Sequence, residues 1–240
     1  MSYPVKFYSI SPELIEVHWP EKIEEGILLE ILVFEKTIME EWKEKIRSIH
    51  HGYQVLGIQL KENFVAHSCM PSLKELWESS QQNPDLLPQR QEWKFPVCYD
   101  RDLVPELDLY LEKSGLEHTT FVEKHTANAY LLYFYGFLPG FMYLGGLDER
   151  LHLPRKAIPD KKIPSGSVAI GGSQTGVYPM DSPGGWYVVG KTPVGFFQNG
   201  ALKLPFSAGD RIRFEAITRR EYDKLVAAEN FDWRKTAYHG

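Results

Sequence analysis

Arg155 and Gln174 are the polar groups of most chemical interest in a stretch dense in glycine, proline, aromatics and small hydroxyls. Residues 136 to 195 hold twelve of the nineteen glycines and seven of the sixteen prolines. Average usage would place roughly four glycines in a segment of that length. Ser165, Ser167, Tyr178 and Ser182 add uncharged hydrogen-bonding groups. Such a set can hold a small polar molecule, with the planar fork of Arg155 suited to a carboxylate or phosphate. The competing assignment is structural, since serines in such segments commonly cap turns. Turn capping is the stronger assignment for each single serine, and both stand for Arg155 and Gln174.

The backbone around these groups is expected to be fixed. Flexible linkers are polar, whereas here glycines adjoin bulky rings, as in Pro139-Gly140-Phe141 and Gly184-Gly185-Trp186. Glycine supplies positive φ or close approach and proline locks φ. Ordered loops of this length are usually functional. Phe137, Phe141, Tyr143 and Trp186 are then either core or a docking face for a partner, where aromatics are enriched.

His125 closes a short helical pattern. It is either a cation or donor at the helix C-terminus, or an acid/base or substrate-orienting group. The eight histidines show no metal-ligand spacing, and His50-His51 are adjacent. Cys69 and Cys98 lie outside the dense stretch and are expected to be buried. Gly185 to Thr192 fits the phosphate-loop expression G-x-x-x-x-G-K-[ST] letter for letter. That loop requires a helix directly after its lysine. Trp186-Tyr187-Val188-Val189 reads instead as a strand, and Pro193 follows at once, so the match is taken as accidental.

The net charge of −5 argues against nucleic acid or an anionic membrane as partner. No run nears the roughly 18 apolar residues of a membrane span. Met1 to Lys6 lacks an apolar leader core. The expectation is a soluble, cytoplasmic protein without a disulfide framework.

The elements that position these groups fall into two parts. Leu14 to Trp19 reads as a strand, Glu24 to about Arg47 as an amphipathic helix, Tyr53 to Leu60 as a strand, and Pro71 to Gln82 as a helix starting near its proline. Asn83 to Arg90 carries two prolines in a polar run and marks a boundary. This gives domains at 1–88 and 89–240. Beyond it come a strand from Trp93 to Cys98, a helix from Val104 to Lys113, and a second helix from Thr120 to His125 capped by Thr119. Strands follow at Tyr130–Tyr135, Val168–Ile170, Trp186–Val189 and Arg211–Phe214, then a helix from Arg219 to Val226. Many short strands with Gly/Pro turns predict a barrel or sandwich.

Two runs also resemble the signatures of the PxpB/KipI family, related to allophanate hydrolase subunit 1 and the corresponding region of urea carboxylase. One is Gly136-Phe137-Leu138-Pro139-Gly140-Phe141-Met142-Tyr143-Leu144-Gly145-Gly146-Leu147. The other runs from Ile163-Pro164-Ser165-Gly166-Ser167 through Gly171-Gly172-Ser173-Gln174-Thr175-Gly176 to Tyr178-Pro179, and continues in Ser182-Pro183-Gly184-Gly185-Trp186 and Gly190-Lys191-Thr192-Pro193. His125-Thr126 resembles the family's His-Thr pair. The N-terminal part departs more, with Ser11-Pro12-Glu13 in place of a Gly-Asp. Pro159-Asp160 stands where many members carry a second Pro-Arg.

The resemblance implies an α+β fold, with a small α/β N-terminal domain followed by a cyclophilin-like β-barrel. It implies a subunit of an ATP-dependent complex that opens 5-oxoproline to glutamate, inactive alone. The partners would be a homologous second subunit (PxpC-like) and a lactam-hydrolase subunit (PxpA-like). ATP with Mg would be a cosubstrate of the complex, with no tightly bound cofactor and no metal site here. Inhibition of histidine kinase autophosphorylation and allophanate hydrolysis are the alternatives. The expected catalytic residues are His125, Arg155 and Gln174. The expected substrate-binding residues are Pro139, Gly140, Tyr143, Ser165, Ser167, Tyr178, Ser182 and Trp186.

Overall fold

The structure, a computed structural model, describes residues 3–81, 89–198, 200–228 and 235–237. It divides into two compact units, Met1–Gln89 and Arg90–Gly240. The proline-bearing boundary stretch lies largely outside the described residues.

The first unit is a four-stranded antiparallel sheet with two helices. In chain order these are β1 (Lys6–Ser11), β2 (Leu14–His18), α1 (Glu25–Glu41), β3 (Ile46–His51), β4 (Val55–Leu60) and α2 (Ala66–Ser80). The sheet order is β1-β2-β4-β3. On β2 the period of two puts Ile15 and Val17 in the core. On α1, Ile27, Ile31, Phe34 and Ile38 recur at three and four residues and meet them there. Trp77 of α2 packs edge-on against Trp19 and Phe34.

Two helix limits differ from the sequence expectation. The first helix stops at Glu41, not Arg47. Trp42 leaves helical geometry at φ −114°, and the Lys45 and Ile46 amides both turn back to its carbonyl. Ile46 kept the helical spacing because it reaches the same core from β3. The second helix begins at Ala66, so Pro71 is interior. Val65 at its N-cap makes no side-chain cap bond, which left the start without a sequence signal.

The second unit is built on a closed barrel. Its elements are β5 (Gln91–Cys98), α3 (Glu106–Ser114), α4 (His118–Ala127), β6 (Ala129–Tyr135), β7 (Met142–Gly145), β8 (Asp160–Ile163), β9 (Ser167–Gly171) and β10 (Gln174–Val177). They continue through β11 (Ser182–Gly184), β12 (Tyr187–Lys191), β13 (Phe197–Gln198), β14 (Ala201–Leu202), β15 (Arg211–Ile217), α5 (Arg219–Ala227) and β16 (Lys235–Ala237). The order β12-β9-β10-β7-β6-β15-β5 closes where Lys191 of β12 pairs with Cys98 of β5. All barrel pairings are antiparallel except β15 with β5, which run parallel from Arg211↔Glu92 to Ile217↔Cys98. Phe95, Leu132, Val168, Ile170, Val189, Ile212 and Phe214 fill the core. The expected α+β class with a β-barrel is what the chain adopts.

Thr119 is not a cap: α4 starts two residues earlier than expected, at His118, with Glu117 at an N-cap lacking a side-chain bond. The phosphate-loop match resolves as strand. Tyr187 to Lys191 is β12, and residues 192–195 form no helix. The Lys191 ammonium donates to the Ser165 carbonyl, so it serves a turn of the barrel.

Candidate functional site

A pocket of about 360 Å³ opens on the second unit, lined by the loops around β7, β8 and β11. It lies at the small end of the range for small-molecule sites. Its floor is aromatic. Phe141 sits edge-on to Tyr143 at 5.1 Å, to Tyr178 at 5.1 Å and to Trp186 at 5.4 Å. Edge-to-face geometry sets the positive ring edge against the negative face and rigidifies the cluster.

Glycine is what lets these rings reach the backbone. A Cβ at Gly171 would lie 2.5 Å from three atoms of the Trp186 indole, so the indole rests directly on β9. A Cβ at Gly184 would overlap the Tyr178 hydroxyl. The glycine enrichment of this stretch therefore reflects close ring-to-backbone packing.

Of the eleven residues expected in the site, the pocket brings together Tyr143, Arg155, Tyr178 and Trp186. Arg155 is exposed, and its guanidinium carbon lies 5.5 Å from the centre of the Trp186 ring. Among the described residues no carboxylate pairs with it. The indole face orients the guanidinium without neutralising it, which leaves its hydrogen-bond fork for an anion. Tyr178 is buried, and burial pushes its phenol up to about 12. It is a proton-bearing donor at any physiological pH.

The other expected residues lie elsewhere. His125 has no exposed surface. It is stacked between Phe121 and Phe214. Its Nδ1 lies 2.8 Å from the Tyr99 hydroxyl and its Nε2 3.1 Å from Thr175 Oγ1. The Thr175 hydroxyl donates to the Ala169 carbonyl, so it accepts from Nε2–H, and Nδ1 accepts from Tyr99. Burial lowers the imidazole pKa to about 3. His125 is thus a neutral core residue and does not line the pocket. Neither a helix-end cation nor an acid/base group at the pocket fits that setting.

Gln174 is buried on β10 and Ser167 on β9, both outside the pocket lining. Ser167 donates to the Pro164 carbonyl and Ser165 to the Pro179 carbonyl, which is turn capping. Ser182 is buried at the start of β11, with no hydrogen-bond partner for its hydroxyl among the described residues. Pro139 is exposed and Gly140 buried in the loop beyond Phe137, and neither lines the cavity.

The sequence reading missed Lys156, a further lining residue. Its side chain is 11% exposed and its ammonium contacts the carboxylates of both Glu106 and Asp160. Burial lowers the ammonium pKa, but the two carboxylates outweigh this and the net direction is up. Burial likewise raises Glu106. The Lys156 amide donates to the Gly185 carbonyl, tying the Arg155 loop to the Trp186 turn. Only the adjacency of Lys156 to Arg155 was visible beforehand; Glu106 comes from α3. Among the described residues no cluster of three or more His, Cys, Asp or Glu could hold a metal.

The second unit is thus a closed barrel whose loops carry an aromatic pocket and one arginine that no described carboxylate pairs. Residues 5–206 match the carboxyltransferase domain, subdomain C and D, and the chain belongs to that family. It is 41% identical over 140 residues to a protein of Bacillus subtilis (strain 168) named as a 5-oxoprolinase subunit, covering 57% of this chain and 58% of that one. The protein of the same name from Escherichia coli O157:H7 is 39% identical over 151 residues, covering 62% of this chain and 68% of that one. The alignment thus spans under two thirds of the Bacillus relative. These relatives carry the resemblance read from the two motif runs. The Kluyveromyces lactis urea carboxylase superposes over 99% of this chain and 24% of its own, with a TM-score of 0.77 at 14% identity, which establishes a shared fold. No helix among the described residues is long and apolar enough to cross a membrane.

Proposed function

We propose that the chain is a subunit of a 5-oxoprolinase complex and that its pocket receives 5-oxoproline. The observation that carries this is the unpaired Arg155 guanidinium held on Trp186 at the wall of an aromatic pocket. A small ring bearing one carboxylate fits that chemistry. The carboxylate takes the arginine fork, the ring lies on the aromatic floor, and the protonated Tyr178 hydroxyl is a donor for the lactam carbonyl. Both relatives are named as parts of such a complex.

The complex would open the lactam with water to give glutamate, consuming ATP with Mg as cosubstrate. The partners would be a homologous second subunit and a lactam-hydrolase subunit, and this chain alone would be inactive. A soluble, cytoplasmic setting accords with that chemistry. The test is reconstitution with both partner subunits, ATP and 5-oxoproline, with glutamate as readout. Glutamate release that requires all three chains is the expected result. An assembled, folded complex that releases none would reject the proposal.

A further inference from the structure

Phe137 stands at the mouth of the same pocket in a conformation that the fold itself does not explain. Its φ is +64°, the only positive φ among the described non-glycine residues. The Leu138 amide donates to the Gly136 carbonyl across it at 2.7 Å. A hydrogen bond from residue i+2 to residue i around a positive φ makes a γ-turn of the rare, strained kind. The turn is pinned on both sides. Gly136 N–H donates to the Phe141 carbonyl, and Phe141 N–H to the Leu138 carbonyl.

Burial does not compensate this strain, because Phe137 is 59% exposed. Glycine, which adopts positive φ freely, occupies position 136 beside it. The ring stands perpendicular to Phe141 at 5.6 Å and to Tyr178 at 6.5 Å, and it lines the cavity. It therefore offers an open aromatic surface at the pocket mouth, near the Tyr178 hydroxyl and Arg155.

We propose that Phe137 is the specificity-determining wall of the pocket, a ring held out by a strained turn to cover the exposed side of a small planar ring whose carboxylate is on Arg155. This rests on the reading of the pocket given above. A compact five-membered lactam fits beneath the Phe137 ring, whereas a longer acyclic acylamino acid meets it. Phe137 therefore acts on which anion binds, and Arg155 on whether an anion binds.

The test uses the whole chain and two probes, 5-oxoproline and N-acetylglutamate, with affinities from ligand-observed NMR. The variants are Phe137→Gly, Phe137→Tyr and Arg155→Gln. Phe137→Gly is expected to lower the preference for 5-oxoproline over N-acetylglutamate about tenfold, from loss of one ring contact. Phe137→Tyr keeps the wild-type preference. Phe137→Gly is also expected to unfold at the wild-type temperature or above, because it relieves the turn. An unchanged preference in Phe137→Gly, with binding still dependent on Arg155, overturns the role of Phe137 alone. A melting temperature lowered by several degrees makes the ring a structural prop and overturns it too. Absence of 5-oxoproline binding in the wild-type chain, or binding indifferent to Arg155→Gln, overturns the reading of the pocket and this inference with it.

Discussion

The guanidinium of Arg155 lies 5.5 Å from the centre of the Trp186 ring, and no described carboxylate answers its charge. An unpaired arginine over an indole ring is oriented by the cation–π contact and left with its hydrogen-bond fork vacant. Arg155→Gln should weaken 5-oxoproline binding by about 10- to 100-fold, the scale of a charge-assisted hydrogen-bond pair. Arg155→Lys should recover little of it, since an ammonium neither forks nor stacks as a plane. Titration calorimetry on the three proteins checks this; full recovery by lysine would show that point charge is enough.

Gly171→Ala tests the seat beneath the arginine. The new methyl would meet the Trp186 indole at 2.5 Å, and the ring must move. Overpacking of this kind costs about 1–3 kcal/mol. The variant should lose anion binding along with that stability, because Arg155 loses its platform. Retained affinity in a destabilised Gly171→Ala protein would uncouple the indole from the site.

Lys156→Ala should destabilise the second unit by about 3 kcal/mol near pH 7, because it leaves Glu106 without its buried partner. Glu106 is already shifted upward by burial, and loss of the lysine shifts it further. A carboxyl whose folded pKa is raised favours folding at low pH and costs stability as pH rises through that value. The deficit of Lys156→Ala should therefore shrink between pH 7 and pH 5. Amide exchange of the β9 and β10 backbone, compared with wild type at both pH values, reads it. A deficit independent of pH would mean that Glu106 stays ionised in the variant.

His125 makes acid stability a property of the core. Its folded pKa is about 3 against an ordinary 6.5. The unfolded chain takes up a proton below 6.5 and the folded chain does not. The contribution is fully present above pH 6.5 and is lost as pH falls towards 3, at about 1.4 kcal/mol per pH unit. His125→Gln should be less stable at pH 7, with a shallower decline over that window. Exchange rates of barrel amides from pH 7 to pH 4.5 measure the slope. An identical slope in wild type and His125→Gln would place the acid sensitivity in other groups.

Local patterns carried much of the fold. The alternation of Leu14 to His18, the helical spacing of Ile27 to Ile38 and the apolar run Tyr130 to Tyr135 each follow from the period of one element. Limits failed where no local signal marked them, as at Val65, or where one apolar residue served two elements in turn, as at Ile46. Short strands such as β7 and β10 were not legible, since four residues, one of them glycine, are too few to show a period of their own.

By itself the sequence marked residues 136 to 195 as an ordered segment of short strands and turns in a barrel or sandwich, and singled out Arg155, Tyr178 and Trp186 within it. The tertiary structure alone decided which of its polar groups face a cavity. It withdrew His125 into the core between Phe121 and Phe214, because a ring's burial depends on partners from three separate elements. It neutralised Lys156 with Glu106 of α3 while leaving Arg155, one residue away, unpaired. Adjacent cations in a sequence look alike; what separates them is which distant carboxylate the closed barrel brings within reach.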